Sequence, residues 1–443
     1  MPKPTEAALD LQVGMEYYIT DCGGVGGRLR SSPEDFVVEE VLLNGSVVSS
    51  KAAVDIKPKP GPYTWIIIEK RRIDTISLVV TLSRRLGVKL SDISYGGLKD
   101  TGAVAAQVIS IRGITPAQLE GLDLGPRARI IASFSMDRPF TPGEIWGNQF
   151  TIIIRGITGD ESLFNCVVEQ IMERGLPSYY GYQRFGLRRP NSHIIGKLII
   201  MGDFEGAVEE LVAKPYPYED DAIKKARELA GKGEYSKALE LLPRSIRYLP
   251  ERLVLKQLSI DPGNYMNALS KLPMNLLRLY IEAYQSYLFN KALSTRIGKG
   301  ISINRAVEGD LVVLLDEHGL PTGNVIKAYG SMIDKVNLII SKGKATVVGH
   351  LVGYRSKFNN GIQGEIELSI LKAEGVEPSD FKVSSMPKLA TGGGVRWLSV
   401  KPIIHLISVN GDNAKLVFRL PKGNYATTLL REFIKPNKPE LDF

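Results

Sequence analysis

The sequence has little with which to hold a metal. Its 443 residues include two cysteines, Cys22 and Cys166, and four scattered histidines. None of them falls in a CxxC pair or at the close Cys/His spacing of a zinc site. Two cysteines could form one disulfide, but they make no scaffold of the secreted kind, and they read as two buried thiols in a reducing cytoplasm. No apolar run approaches the roughly 20 residues that cross a bilayer. The N-terminal MPKPTEAALDLQ lacks an apolar signal core, so the chain is expected to be cytoplasmic with no membrane partner. Internal repeats and low-complexity tracts are missing too. Hydrophobic residues make up 44% and charged residues 23%, which describes a folded chain rather than a disordered one. The length exceeds one hydrophobic core and predicts two domains. Lys and Arg number 56 against 48 Asp and Glu, a formal charge of +8. Such a balance favours polyanionic partners, nucleic acid first among them.

The order of patterns is irregular. FVVEEVLL from Phe36 and YTWIIIE from Tyr63 read as strands, as do AAQVISIR and TIIIR. Asp74 and Thr75 can cap a helix over ISLVVTLSRRL that stops at Gly87, and Asp160–Arg174 has helical spacing up to Gly175. From about Lys197 to Leu293 the pattern is helical, with two helices joined at Gly231–Gly233 and one long amphipathic helix over NLLRLYIEAYQSYLFNKALSTRI. From Asn304 to Ser369 strand signals return in LVVLL, VNLII and ATVVGHLVGY. The C-terminal AKLVFRLPKGNYATTLLREFIK reads strand, turn, helix. The class is α+β with a mixed or antiparallel sheet, interrupted by a middle segment of different character.

Three stretches carry candidate chemistry. Tyr95–Gly102 (YGGLKDTG) displays Asp100 among glycines. An acid so placed serves as nucleophile or base, or merely closes its own turn. Pro177–Arg189 packs aromatics, arginines and Gln183 into thirteen residues, as a segment stacking bases and binding phosphate would, or as a solvated loop over buried rings. Arg419–Thr427 (RLPKGNYAT) places Tyr425 at the exit of a turn. A fourth stretch, the glycines from Gly23 to Gly27 ahead of Arg28 and Arg30, lacks the Lys-Ser/Thr of a P-loop and reads as a flexible loop.

Taken together, segments spread over nearly the whole chain resemble the TruD family of tRNA pseudouridine synthases, in its archaeal type. They are RSSPEDFVVE (Arg30–Glu39), GGLKD with Gln107, GNQF (Gly147–Phe150), YGYQRFG (Tyr180–Gly186), QSYLFN (Gln285–Asn290) and the block from Lys422 to Glu432, in the family's order. The resemblance implies a pseudouridine synthase catalytic domain over 1–196 and 397–443, with a family-specific α+β domain inserted at 197–396. It implies an isomerase, an intramolecular transferase that converts a tRNA uridine to pseudouridine without metal, nucleotide or other cofactor. A monomer is the default expectation.

By the same resemblance Asp100 is the catalytic carboxylate and Arg30 its ion-pair partner. Phe36 and Tyr425 line the pocket, and Tyr180 stacks on the extruded base, with a proton-transfer role for its hydroxyl left open. Asn148, Gln183, Lys99, Ser178 and Arg184 are expected at or near the substrate. A basic cleft built from Arg184, Arg188, Arg189, Lys224, Lys225 and Arg396 is expected to grip the RNA backbone. Ser178 stands where the family usually carries Asn, Thr101 where it often has Lys or Arg, and Ala105 where it has Thr. These departures bear on substrate contacts rather than on reaction class. Position 13 of tRNA is the leading target, and position 35 of a tyrosine tRNA precursor the second. Two competing readings stand beside this one: a non-catalytic RNA-binding protein of the same fold, and a metal- or nucleotide-dependent enzyme using the Gly23–Gly27 loop.

Overall fold

In the computed structural model, residues 2–49, 54–99 and 102–443 are described; Asp100 and Thr101 lie outside them. A large sheet organises the molecule. Its strands are β1 (Gly26–Arg28), β2 (Phe36–Leu42), β3 (Tyr63–Arg71), β4 (Ile93–Tyr95), β5 (Val104–Arg112), β6 (Ala128–Met136) and β7 (Ile145–Ile157). A second sheet contains β8 (Leu311–Leu315), β9 (Pro321–Lys327), β10 (Ala345–Leu351) and β11 (Gly394–Trp397), after which β12 (Ile403–Asn410) and β13 (Asn413–Pro421) return to the first. The large sheet runs β12-β13-β7-β2-β5-β3-β6, with β1 added to β7 and β4 to β5. Among the described residues only β2 and β5 pair in parallel, so the sheet is mixed and otherwise antiparallel.

The centre of the sheet is covered on both faces. β2, β3 and β5 are therefore apolar at most positions, and they are buried along nearly their whole length, with Glu39, Glu40, Glu69 and Lys70 taken inside as well. The edge strand β12 shows only partly buried and exposed positions.

The main helices are α1 (Thr75–Leu86), α2 (Glu161–Arg174), α3 (Ser192–Met201), α4 (Asp221–Gly231), α5 (Tyr235–Leu241), α6 (Leu249–Ile260), α7 (Met274–Gly298), α8 (Met332–Ser341), α9 (Ile362–Glu374) and α10 (Ala426–Ile434). Caps act as the sequence predicts. The Asp74 carboxylate accepts the Ser77 N–H, Gly87 closes α1 with left-handed backbone, and Asp160 caps α2.

One core joins a face of the large sheet to α2 and α10, and another fills the helix-rich unit. α7 belongs to both. Ala283, Phe289, Leu293 and Ile297 enter the first core; Leu277, Ile281, Tyr284 and Leu288 enter the second. A helix apolar on several sides must be wrapped on several sides. Each Leu, Ile or Phe so buried contributes about 1.5–3 kcal/mol. Where α3 crosses α7, a Cβ on Gly196 would stand 2.0 Å from the Tyr280 carbonyl, so only glycine permits the approach.

Three sequence expectations are corrected. VNLII is helix, the latter part of α8, because Val336, Ile339 and Ile340 fall at helical spacing onto one core; a short apolar run does not by itself distinguish strand from helix. Cys22 and Cys166 form a disulfide instead of two thiols, with Cα atoms 6.3 Å apart across 144 residues of sequence. The Gly23–Gly27 segment is no loose loop. The Val25 N–H donates to the Phe433 carbonyl at 2.8 Å, and Gly26 and Arg28 pair with Ile157 and Arg155 of β7. Among the described residues no helix is long and apolar enough to cross a membrane.

Candidate active site

The turn before β2 presents Arg30. Asp35 pins that turn: it accepts the Ser32 N–H at 2.8 Å and a forked pair of bonds from Arg155 at 2.8 and 2.7 Å. The Arg155 guanidinium holds the Asp35 carboxyl below the usual carboxylate range. Arg30 itself adopts φ +56°, a left-handed conformation uncommon for a side-chain-bearing residue. Its guanidinium carbon lies 4.4 Å from the centre of the Phe36 ring. Phe36 is buried beneath it and meets Phe150 edge-on. A Cβ on Gly102 would lie 3.8 Å from Arg30 Nη1, so the Arg30 guanidinium runs alongside the chain two residues past position 100.

Lys99 is tethered at three points. Its N–H donates to the Thr75 hydroxyl at 2.9 Å, and that hydroxyl donates to Gln107 at 3.0 Å. Its carbonyl accepts from Lys70 at 3.2 Å. Its ammonium turns inward, donating to Asn148 Oδ1 at 2.6 Å and pairing with Glu40 at 3.1 Å. With 8% of the side chain exposed, Lys99 lies against the sheet instead of reaching outward for phosphate.

The aromatic segment is built differently. The Tyr180 N–H donates to Asn290 Oδ1 of α7 at 2.8 Å, and Asn290 donates back to the Tyr180 carbonyl at 3.1 Å. The Tyr180 ring stands 6.0 Å from that of Tyr425 and 6.0 Å from that of Phe289. Gly181 makes this possible, since a Cβ there would meet Thr427 Oγ1 at 2.6 Å and Tyr425 Cβ at 3.1 Å. Gln183 accepts from the Thr427 hydroxyl at 3.3 Å. Ser178 is buried and donates to Asn424 Oδ1 at 2.8 Å, so its hydroxyl is spent on the neighbouring turn.

Beneath Tyr180 lies a buried polar knot. Asp10 accepts from Tyr182 at 2.6 Å, from Thr5 at 2.7 Å and from Arg431 at 2.8 Å. Burial raises the phenol pKa of both Tyr179 and Tyr182, which keeps them neutral.

The expected basic cleft is largely spent inside the protein. Arg184 binds Glu282 at 3.0 Å and Ser286 at 3.1 Å. Arg189 binds Glu251 at 2.9 Å and the Leu211 carbonyl at 2.8 Å. Arg396 lies over the Tyr180 ring at 4.1 Å and donates to the carbonyls of Ser178 and Gly423, both at 2.8 Å. Lys224 and Lys225 pair with Asp221 and Glu228 on their own helix, and Arg188 is exposed. From sequence Glu40 has no assigned role, Thr75 reads only as a helix cap and Asn290 only as part of a family segment. The visible signal for Glu40 was two adjacent acids, Glu39 and Glu40, inside an apolar strand. A cavity of about 940 Å3 opens elsewhere, between Trp146, Trp397, His318 and Lys342, and none of the predicted site residues lines it. Among the described residues no group of three or more His, Cys, Asp or Glu is placed to hold a metal.

A family model described as tRNA pseudouridine synthase D (TruD) matches residues 12–433. The chain belongs to the TruD family. It is 40% identical to a Pyrobaculum aerophilum protein named "Probable tRNA pseudouridine synthase D", over 98% of both chains. A Methanosarcina mazei protein of the same name is 35% identical over 97% of this chain and 98% of its own. The crystal structure of a Methanosarcina mazei protein assigned to tRNA pseudouridine synthase D superposes with a TM-score of 0.79 and 34% identity, covering 98% of this chain and 99% of that one. The TruD match thus extends over both the large sheet and the helix-rich unit, and the family is one of isomerases.

Proposed function

We propose that this TruD-family isomerase converts one uridine of tRNA to pseudouridine with Asp100 as nucleophile and no cofactor, uridine 13 being the leading target and uridine 35 of a tyrosine tRNA precursor the second. The observation that carries the reading is the Arg30 guanidinium, stacked on Phe36 and running beside Gly102, because a carboxylate working among RNA phosphates needs a cation beside it. An ion pair between Arg30 and Asp100 would keep the acid ionised. The left-handed backbone of Arg30 fits a position held under strain for function.

In the reaction the N1–C1′ bond breaks as the carboxylate attacks C1′ or draws a proton to form a glycal. The freed uracil turns and C5 bonds to C1′, either as the carboxylate–C1′ ester bond breaks or as C2′ of the glycal takes back its proton; the C5 proton then departs and N1 takes a proton. Tyr180, with Tyr425 beside it, supplies a face on which an extruded base stacks. Gln183 and Asn148 hold the loops that carry these groups. We also propose that the helix-rich unit is an insertion at about 197–396. Its physical edge would lie nearer Pro190, because Ile195, Leu198, Ile199 and Ile200 of α3 pack into the second core.

The test is incubation with an unmodified tRNA transcript, followed by a pseudouridine-specific chemical probe. A single modified site in the wild type is expected. Asp100→Asn is expected to lose at least about 1,000-fold in kcat while binding tRNA as well as before. Binding without modification by the folded wild-type protein would make this a non-catalytic RNA binder.

A further inference from the structure

A buried ammonium beside a proposed nucleophile needs an explanation. Glu40 lies on β2, is fully buried, and bridges three strands. The β2–β5 ladder ends at Glu39 and Ala106. Beyond that point the Glu40 carboxylate takes the Val108 N–H of β5 at 2.8 Å, doing with a side chain what the next backbone carbonyl would have done. Its other oxygen faces Lys99 Nζ, and Asn148 of β7 accepts from the same ammonium. An unpaired acid at this depth would be very costly, so Glu40 and Lys99 hold each other in place. Leu98, the residue before, is 65% exposed, so the loop turns one side chain to solvent and drives the next into the sheet.

Resting on Asp100 as the nucleophile, we infer that Glu40 and Lys99 are positioning residues for the reaction: the buried carboxylate draws the Lys99 ammonium into the sheet, and that anchor sets where the following acid meets the sugar. The three tethers on Lys99 act on its N–H, its carbonyl and its side chain, which leaves it little freedom to translate or rotate. Preorganisation of this kind acts on the chemical step and not on RNA affinity. Loss of the Glu40 charge would free a cation next to the nucleophile, where it would compete for the reacting carboxylate.

The experiment compares Glu40→Gln, Lys99→Met and the double variant in steady-state and single-turnover assays on a tRNA transcript, with thermal melts alongside. Glu40→Gln is expected to lower kcat about 100-fold with KM within about threefold. The double variant is expected to recover about tenfold over Glu40→Gln, because no stray charge remains; simple damage to the fold would not reverse in this way. A rise in KM with kcat intact would overturn the inference and make Lys99 an RNA contact, and so would losses that multiply in the double variant. If Glu40→Gln does not fold, Lys99→Met decides: loss of kcat at unchanged KM supports the inference, and unchanged kcat overturns it. Turnover by Asp100→Asn would remove the underlying mechanism. An inactive Asp100→Asn beside fully active Glu40→Gln and Lys99→Met would remove only the positioning role.

Discussion

The two segments that carry the proposed chemistry are held in opposite ways. The loop leading to position 100 is fixed through one residue, Lys99, by polar tethers from β2, β3, β7 and α1, while its neighbour Leu98 stays in solvent. The segment around Tyr180 is fixed by burial on both sides: Ser178, Tyr179, Tyr182 and Phe185 are all inside, and only Tyr180 and a few polar side chains are turned partly outward. A nucleophile needs a defined position and polar bonds define one. A stacking face needs a rigid wall, and a core provides it. Damage to the first should therefore appear in kcat, and damage to the second in stability.

The largest effect on that comparison is expected from Arg431→Met. It leaves the Asp10 carboxylate buried without its main cation, and removing one partner of such a pair costs about 3–5 kcal/mol. Denaturant titration should show that loss, whereas the double variant Glu40→Gln with Lys99→Met, which leaves no unpaired charge buried, should shift the same titration by much less. Equal shifts would erase the distinction.

The acid limb of stability comes next. His193, stacked on Tyr287 at 5.0 Å and buried under Phe185, has its pKa lowered by burial to about 4. An unfolded chain takes up a proton near pH 6.5 that the folded one refuses until about 4, so folding weakens as pH falls through that window, by about 3 kcal/mol at most. Above pH 6.5 His193 adds no pH dependence. Thermal melts of His193→Gln should be flatter between pH 6.5 and 4 than those of the wild type; parallel curves would exclude His193 as the cause.

The smallest effects concern the wall itself. Tyr180→Ala should lose about 1–3 kcal/mol of base stacking, measured as a fall in kcat/KM. Tyr180→Phe keeps the ring and should stay within a few-fold. A loss of several orders of magnitude in Tyr180→Phe would assign the hydroxyl a proton-transfer role.

Several features were readable before any coordinates. Asp74, Gly87 and Asp160 mark helix ends because capping is a local matter of a few backbone groups. The periodicity of Met274–Gly298 marks a long helix for the same reason. The family motifs brought Arg30, Phe36, Asn148, Tyr180 and Tyr425 into view, though the tight seam of Tyr180, Tyr425 and Arg396 emerged only in three dimensions. The segment VNLII misled because five apolar residues fit either period. The arginines of the aromatic segment looked like an RNA grip because sequence shows charge without its partners. Arg184 and Arg189 meet acids 62 to 98 residues away.

The sequence by itself determined the family, the mixed α+β class and the placement of caps and long helices, all of which depend on near neighbours along the chain or on motifs read in order. The tertiary structure alone decided the Cys22–Cys166 bond, the burial of Lys99 against Glu40 and the knot of Asp10, Tyr182 and Arg431. The physical reason is common to the three. A buried charge or thiol is stabilised by whatever the fold brings within a few ångströms, and here those partners lie 59 to 421 residues away along the chain.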